Sequence, residues 1–518
     1  MDNQLFKKVD YYWIFLILTI VLCYGFFLTN HSMGIDDEIF ESFASTHTIL
    51  VTNRPGNFIF SDILKTYEYL PFWREFLGIA LYAIGITLHA ENFIKYLSPK
   101  FDKKAATIFS VIAISFPYLA FHFFFMQSTI QRGFIMIATA FAVRFLYKGL
   151  IEEKISKKNI FISGVLMFLA ASVYETAVYY FAIACLFIEI LKLIDGQLKQ
   201  NYIRLFLIGF LAFIAVFFNA VLSSICKLSF GIIHSKVEQF MLYDFSSFSG
   251  FINSFINSLK DFIHLFFQTA SYNNGTVISI ILISVFMIGS IIYSFKQKNI
   301  NVFLYALIMS LIPFATFILL GNITMPFRAY ATLSFLNAMI FVLIYISLKE
   351  RKVIVNVLFW IVALVVVYQA QELNQIFYTE HLKFQKDKFY AYELMYDIKK
   401  LGLENKPIIF VGTVEDIKLR HNYIESPELN ISSFNWDRYD SFESEISVNR
   451  PYGFLRELGF DVKDYTAVYL DSMSEYDTLI NEIKTNTKNM DIYPRENSIK
   501  DFDKYVIIKI GESKADTE

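Results

Sequence analysis

The sequence predicts an α-helical polytopic membrane protein with a small C-terminal α/β domain. Of its 518 residues, 55% are hydrophobic and only 18% are charged, whereas soluble domains carry about 25% charged residues. Apolar runs long enough to cross a bilayer recur along residues 1–370, and the composition becomes charged and mixed from about Gln371. The formal net charge of −2 gives no electrostatic basis for binding nucleic acid.

Eleven segments are candidate membrane spans, because a hydrocarbon core of about 30 Å needs roughly 20 apolar residues. They lie near 12–29, 76–94, 105–125, 133–148, 160–173, 176–191, 205–224, 277–294, 301–320, 329–348 and 353–370. The fifth and sixth are short and meet at Tyr174 and Glu175, which predicts a tight helical pair. No small-residue cleavage site follows the first segment, so we expect it to be retained as a span.

Basic residues predict the orientation. With a cytoplasmic N-terminus, the inner segments carry 18 Lys and Arg residues and the longer outer loops carry 8. Since inner loops are enriched in positive charge, we expect the N-terminus inside. An odd number of spans then places the C-terminal domain outside the membrane.

The residues after the last span are expected to form an extracytoplasmic α/β domain. A helix over Glu372–Leu401 continues the last span, and strands are predicted at Pro407–Gly412, Ala467–Leu470 and Tyr505–Ile510. About 145 residues are enough to bury a core. We therefore predict a transmembrane catalytic domain at 1–370, with a long first outer loop at 30–75, and an extracytoplasmic domain at 371–518.

Three adjacent acids, Asp36, Asp37 and Glu38, follow the first span directly. Carboxylates at a bilayer boundary are costly to leave unpaired, so such a cluster indicates chemistry or ion binding. Either Asp36 or Asp37 is a candidate general base, with Glu38 as a substrate contact. The alternative is that the aspartates cap an interfacial helix, but capping needs fewer acids. Two adjacent aspartates could bind a divalent metal, yet no further oxygen ligands are identifiable, so no metal or other cofactor is predicted.

Arg54, Arg132 and Arg328 fall at the outer ends of three helical hairpins. Guanidinium groups suit bidentate phosphate binding, so these residues are candidates for contacting the phosphate of a lipid-linked donor. The alternative is snorkelling to lipid headgroups. Pro326 constrains the turn that presents Arg328, which favours a functional role there.

Two neighbouring segments add polar candidates. Tyr174 and Glu175 lie in a short outer hairpin, where a carboxylate contacts substrate or pairs with an arginine. Gln131 lies beside Arg132 and could hydrogen-bond to sugar hydroxyls. The eight histidines form no H-x-x-x-H pair, and neither a Walker loop nor a G-x-S-x-G elbow is present.

Several short motifs resemble one family in their order and spacing. They are Asp36-Asp37 with Asn53-Arg54-Pro55, Ser172–Ala177, Asn374–Thr379, Phe384–Asp387, Pro407–Gly412 and Met490–Pro494. With these motifs the chain resembles, over nearly its whole length, the serotype-converting O-antigen glucosyltransferases of the second type. Asn53 stands where glycine is common in that family, and Glu175 replaces the usual amide.

The resemblance implies a fold of the large membrane glycosyltransferase class in a bacterial cytoplasmic membrane. It implies a polyprenyl-phosphate sugar donor, most often glucose, and a glycan acceptor such as the O-antigen of lipopolysaccharide. Two helpers are implied as well, a small flippase and a cytoplasmic synthase that loads the polyprenyl phosphate. Asp36 or Asp37 would take the acceptor proton during an inverting displacement, and an arginine would stabilise the departing phosphate.

Two alternatives stay open at this point. A polysaccharide polymerase also has many spans and arginines in its outer loops, although the early aspartates and the α/β tail argue against it. A transporter or lipid-linked sugar flippase needs ionisable groups inside its spans and repeated halves. The spans here carry almost no such groups at mid-depth, and no internal repeat is visible.

Overall fold

The chain folds into two compact units in the computed structural model. The model describes residues 11–34, 37, 48–65, 70–97, 100–151, 155–195, 202–232, 247–270, 274–320, 327–414, 431–435, 450–463, 483 and 485–512. The first unit consists of Met1–Thr29 with Phe43–Gln375, and the second of Asn30–Ser42 with Ile376–Glu518. The second unit is therefore discontinuous in sequence.

The first unit is helical. Its helices are α1 (Tyr11–Thr29), α2 (Pro55–Leu64), α3 (Trp73–Leu97), α4 (Lys103–Ser115), α5 (Ala120–Phe123), α6 (Thr129–Ile151), α7 (Lys157–Val173), α8 (Ala177–Ile194), α9 (Tyr202–Ser229), α10 (Phe248–Ala270), α11 (Asn274–Gln297), α12 (Ile300–Leu311), α13 (Ala315–Leu320) and α14 (Leu333–Leu348). Helix α15 (Lys352–Lys400) begins in this unit and ends in the second.

Among the described residues, nine helices are long and apolar enough to cross a membrane. Helix α4 and Pro117–Phe123 pass the same test together, with a bend of 53° between them, and count as a tenth span if the pair crosses the membrane as one. Pro117 explains the bend, because proline lacks the amide hydrogen and forces Phe116 before it out of helical geometry. The remaining predicted segment is α7, which has 17 residues. The predicted polytopic helical membrane fold is confirmed.

Glycines allow α3 and α6 to pack side by side. A Cβ on Gly85 would lie 2.4 Å from the Cβ of Met136, and one on Gly78 would lie 2.6 Å from the Cβ of Thr129. Small residues of this kind permit close backbone approach between helices in membranes. Because residues near the start of α3 meet residues near the start of α6, the two helices run parallel.

The outward faces of α9 and α11 are apolar. Phe206 and Phe213 on α9 are exposed, as are Ile288 and Ile292 on α11. In a multi-pass membrane protein, exposed apolar side chains at this density are typical of helix faces that contact lipid. These faces therefore identify the lipid-facing surface of the first unit.

The second unit contains a three-stranded sheet in the order β1-β3-β2. Strand β1 (Ile408–Val411) pairs in parallel with β3 (Tyr505–Lys509), and β2 (Ile499–Phe502) pairs with β3 in antiparallel register. The strands predicted near 407–412 and 505–510 are confirmed, whereas β2 was not predicted. The predicted strand Ala467–Leu470 lies outside the described residues. A short helix, α16 (Arg450–Glu457), also belongs to this unit.

Candidate functional site

A buried tyrosine organises one end of the first unit. Tyr174 lies in the turn between α7 and α8 and is 5% exposed. The guanidinium carbon of Arg132 lies 3.4 Å from the centroid of its ring, and that of Arg54 lies 4.2 Å from it. Both distances fall within the range of favourable cation–π contact. The structure thus brings together three residues that are 42 or more positions apart in sequence.

The start of α2 delivers Arg54 to this ring. Pro55 occupies the first turn of α2, where its missing amide hydrogen costs nothing. A Cβ on Gly56 would lie 2.1 Å from Oγ of Ser172, so only glycine lets α2 approach the end of α7 this closely. Nε of Arg54 also donates to Oε2 of Glu175 at 3.2 Å. Glu175 is therefore an arginine partner, one of the two roles predicted for it.

Asn53 shapes the turn before Arg54. Its φ of 61° is left-handed, a conformation that glycine adopts freely and asparagine tolerates. An asparagine at this position is therefore compatible with the left-handed turn. Its Oδ1 accepts from Oγ of Ser223 at 3.0 Å, and its carbonyl accepts from Nδ2 of Asn219 at 3.2 Å. The turn is thus fixed against α9.

Arg132 is the most deeply buried charge of the cluster. It lies in the first turn of α6 and is 6% exposed. Its Nε and Nη1 atoms have no hydrogen-bond partner among the residues that the structure describes. Buried guanidinium nitrogen atoms without hydrogen-bond acceptors are costly, and an anion would supply acceptors for them.

Arg328 joins the cluster through a histidine. The backbone carbonyl of Arg328 lies 2.7 Å from Nε2 of His122, whose ring makes an edge contact with Tyr174 at 6.0 Å between centroids. The guanidinium carbon of Arg328 lies 4.4 Å from the ring centroid of Phe125. Pro326, which was expected to present this arginine, lies outside the described residues. Sequence analysis missed His122, although a histidine inside the apolar run around it was a signal.

The cluster is electropositive. Three guanidinium groups face one carboxylate, that of Glu175, among the described residues of the cluster. Burial alone would raise the pKa of the Tyr174 phenol, but the three guanidinium groups together lower it. Burial alone would lower the pKa of Arg54, but Glu175 raises it overall. Such a surplus of positive charge suits an anionic ligand.

Gln131 has a different neighbour from the one expected. It is 1% exposed, and its Nε2 donates to Oγ of Ser61 on α2 at 3.3 Å. This contact helps to hold α2 against α6. The predicted hydrogen bond between Gln131 and a sugar hydroxyl stays a prediction.

Of the three adjacent acids, the structure describes only Asp37, while Asp36 and Glu38 lie outside the described residues. Asp37 belongs to the second unit and is buried. Its Oδ2 accepts from the backbone amide of Gly34 at 3.1 Å, and its own amide donates to the Gly34 carbonyl at 3.3 Å. These two bonds hold Gly34 and Asp37 close together.

The segment before Gly34 is attached within the second unit. Nδ1 of His381 donates to the His31 carbonyl at 3.0 Å, and the His31 ring meets Phe384 edge-on at 5.3 Å. Burial, reinforced by His381 and Lys388, lowers the pKa of His31 to about 4. The ring is therefore neutral at physiological pH and packs as an apolar group. His381 and Phe384 thus anchor the chain six or fewer residues from Asp37.

No group of three His, Cys, Asp or Glu side chains within the described ranges could hold a metal ion. Asp36 lies outside those ranges. The absence of a metal or other cofactor accordingly stays a prediction.

A family model described as glucosyl transferase GtrII matches residues 25–347. The matched region includes all three arginines of the cluster and Tyr174. A search of the curated proteins and a search of the solved structures each found no match.

Proposed function

Since the chain belongs to the glucosyl transferase GtrII family, and so is a glycosyltransferase in a multi-pass membrane fold, we propose a specific reaction for it. The enzyme moves a sugar, glucose in the first instance, from a polyprenyl-phosphate donor to a cell-surface glycan such as O-antigen. The remaining proposals concern the donor site, the chemical step and the face of the membrane.

The observation that carries the donor proposal is the burial of Arg132 with two nitrogen atoms lacking partners among the described residues. A phosphate monoester or diester offers anionic oxygen atoms that a planar guanidinium group can bind in pairs. Arg54 and Arg328 supply further positive charge within the same cluster. A polyprenyl phosphate keeps its phosphate at the edge of the hydrocarbon layer, where an arginine cluster at the end of a helical bundle can reach it.

In the proposed reaction, the acceptor hydroxyl oxygen bonds to the anomeric carbon as the bond from that carbon to the phosphate oxygen breaks. The hydroxyl proton passes to the carboxylate of Asp36 or Asp37, and Glu38 contacts substrate. The departing polyprenyl phosphate keeps the bonding electron pair, and the arginines stabilise its added negative charge. A single displacement of this kind inverts the anomeric configuration.

We place the reaction on the outer face of a bacterial cytoplasmic membrane, with the N-terminus in the cytoplasm and the C-terminal domain outside. The excess of Lys and Arg in the predicted inner segments supports this orientation. If the donor is made on the cytoplasmic face and used on the outer face of the membrane, two partner proteins are required. One is a synthase that glucosylates polyprenyl phosphate, and the other is a flippase that moves the product across the bilayer.

The direct test uses the full-length protein in nanodiscs with radiolabelled polyprenyl-phosphate glucose and a cell-surface glycan. Label should move to the glycan with inversion, and Asp37→Asn should abolish the transfer while the variant stays folded. Asp62→Asn, an exposed acid on α2, is the matched control and should transfer at the wild-type rate. If Asp36→Asn and Asp37→Asn, made separately, both turn over at the normal rate, neither aspartate is the general base. No transfer from any polyprenyl-phosphate sugar would remove the donor proposal.

A further inference from the structure

Helix α10 differs from its neighbours in the chain. It has 23 residues but is not apolar enough to count among the candidate spans, whereas α9 before it and α11 after it both do. Only residues 271–273 separate its last residue, Ala270, from Asn274 at the start of α11. At 3.8 Å per residue, that connection spans about 15 Å at most. The end of α10 therefore lies near the membrane boundary at which α11 begins.

The sequence of α10 is amphipathic at helical spacing. Apolar residues recur every three or four positions along one face, at Phe248, Phe251, Ile252, Phe255, Ile256, Leu259 and Ile263. The opposite face carries Ser249, Asn253, Asn257 and Lys260. Apolar residues at this spacing make a continuous stripe on one side of a helix.

Much of this stripe is uncovered. Phe248, Ile252, Ile256, Leu259 and Ile263 are between 36% and 82% exposed. The polar residues Asn253, Asn257 and Lys260 are exposed as well. The helix therefore presents an apolar face and a polar face to its surroundings at the same time, which neither water nor hydrocarbon alone would satisfy.

We propose that α10 lies in the plane of the membrane surface, with its stripe in the boundary between headgroups and acyl chains. A helix of 23 residues would lie along about 34 Å of that surface. The occupant of the stripe is the lipid bilayer, because α10 packs on α11, whose exposed Ile281, Val285 and Ile288 already face lipid. Lys260 and the adjacent Asp261 balance in charge, so the helix binds neutral and anionic lipid alike.

The test measures which solvent reaches each face of α10 in the full-length protein in nanodiscs. Spin labels are placed at Ile256→Cys and, as the matched control one residue away, at Asn257→Cys. Both are made in a Cys226→Ser background, because Cys23 and Cys185 are buried and escape labelling. Labels at Ile252→Cys and Leu259→Cys extend the stripe, and labels at Asn253→Cys and Lys260→Cys extend the polar face. Oxygen, which concentrates in lipid, is compared with a water-soluble nickel chelate.

We expect oxygen to relax labels at 252, 256 and 259 several-fold more than the chelate does, with the reverse at 253, 257 and 260. The pattern should be the same in neutral and anionic nanodiscs. If the chelate reaches 256 as readily as 257, the helix stands in water and the proposal is wrong. If both agents are excluded from 256, protein covers the stripe, and crosslinking between copies would show whether that protein is a second copy of this chain.

Discussion

The cluster around Tyr174 and the opposite end of the first unit differ in how their charges are partnered. In the cluster, Arg54 pairs with Glu175, whereas Nε and Nη1 of Arg132 have no hydrogen-bond partner among the described residues. At the other end, two largely buried pairs join Arg144 to Glu91 and Arg204 to Glu189, and two more exposed pairs join Lys349 to Asp102 and Lys100 to Asp195. Burying a charge is costly unless a partner compensates it. Pairing therefore stabilises the helices at that end, and under the proposed function the donor phosphate supplies the negative charge that Arg132 lacks.

Helix α6 carries one residue of each kind. Arg132 lies in its first turn, and Arg144 lies about 18 Å further along the same helix. Arg144 donates to Glu91 at 3.1 Å and to Asn92 at 2.8 Å. The same substitution at these two positions therefore tests whether Arg132 makes the proposed ligand contact while Arg144 stabilises the helices.

The largest expected effect is that of Arg132→Met. Donor-dependent transfer should fall about 100-fold or more, because the charge that compensates the departing phosphate is removed. The melting temperature should change little, because the loss of the cation–π contact with Tyr174 is offset by the removal of a buried charge whose Nε and Nη1 lack partners among the described residues. Transfer assays measure the loss of activity, and thermal unfolding in detergent measures the melting temperature. A clear drop in the melting temperature of Arg132→Met would show that Arg132 stabilises the fold, as Arg144 does, and would contradict the proposed difference between them.

Arg144→Met should do the reverse. It leaves Glu91 buried without its partner, which costs about 3 kcal/mol of stability. Transfer per folded molecule should stay near the wild-type rate. Replacing both partners, as Arg144→Met with Glu91→Leu, should restore most of the melting temperature. A double variant no more stable than Arg144→Met alone would show that the pair does not account for the loss.

Tyr174 sharpens the contrast, since its ring is the surface against which two arginines lie. Tyr174→Leu should raise the KM for the donor about 10-fold, because leucine offers no π face. Tyr174→Phe keeps the face and should stay close to wild type. If phenylalanine fails as badly as leucine, the hydroxyl group rather than the ring is what matters.

The smallest effect is expected at Asn53, which sets the turn before Arg54. Asn53→Val should cost about 1 kcal/mol, because a β-branched residue resists the left-handed conformation. Transfer should fall several-fold as Arg54 loses its position. Asn53→Gly adopts the same φ freely and should be nearly neutral. Equal loss in both variants would mean that the hydrogen bonds to α9, and not the φ angle, set the turn.

Sequence reasoning found the spans because hydropathy is a property of contiguous residues. It missed α10 because Asn and Ser alternate with Phe and Ile along this helix, which lowers the average hydropathy below that of a span. It missed β2 for a similar reason, since Ile-Lys-Asp-Phe is too short and too polar to resemble a buried strand. Secondary structure can therefore be predicted from hydropathy where a segment has a long apolar run or one clearly apolar face.

The cluster was predicted only in part. Three arginines were expected at the ends of three hairpins, and their chemistry predicted a phosphate. The approach of Arg54 to Tyr174 depends on the contact between Gly56 and Ser172, residues that no local pattern connects. The segment with Asp37 was likewise found from its acids, but its hydrogen bonds to Gly34 are visible only in the structure.

The discontinuous second unit has a consequence for how this chain is made and engineered. His31 and His381 meet across 350 positions, so Asn30–Ser42 leaves the ribosome long before the residues that hold it. A prematurely terminated chain has its first helix and its arginines but nothing to hold the segment around Asp37. An exchange of the C-terminal region between related enzymes must therefore carry residues 30–42 with it, since the tail alone is not a transferable module.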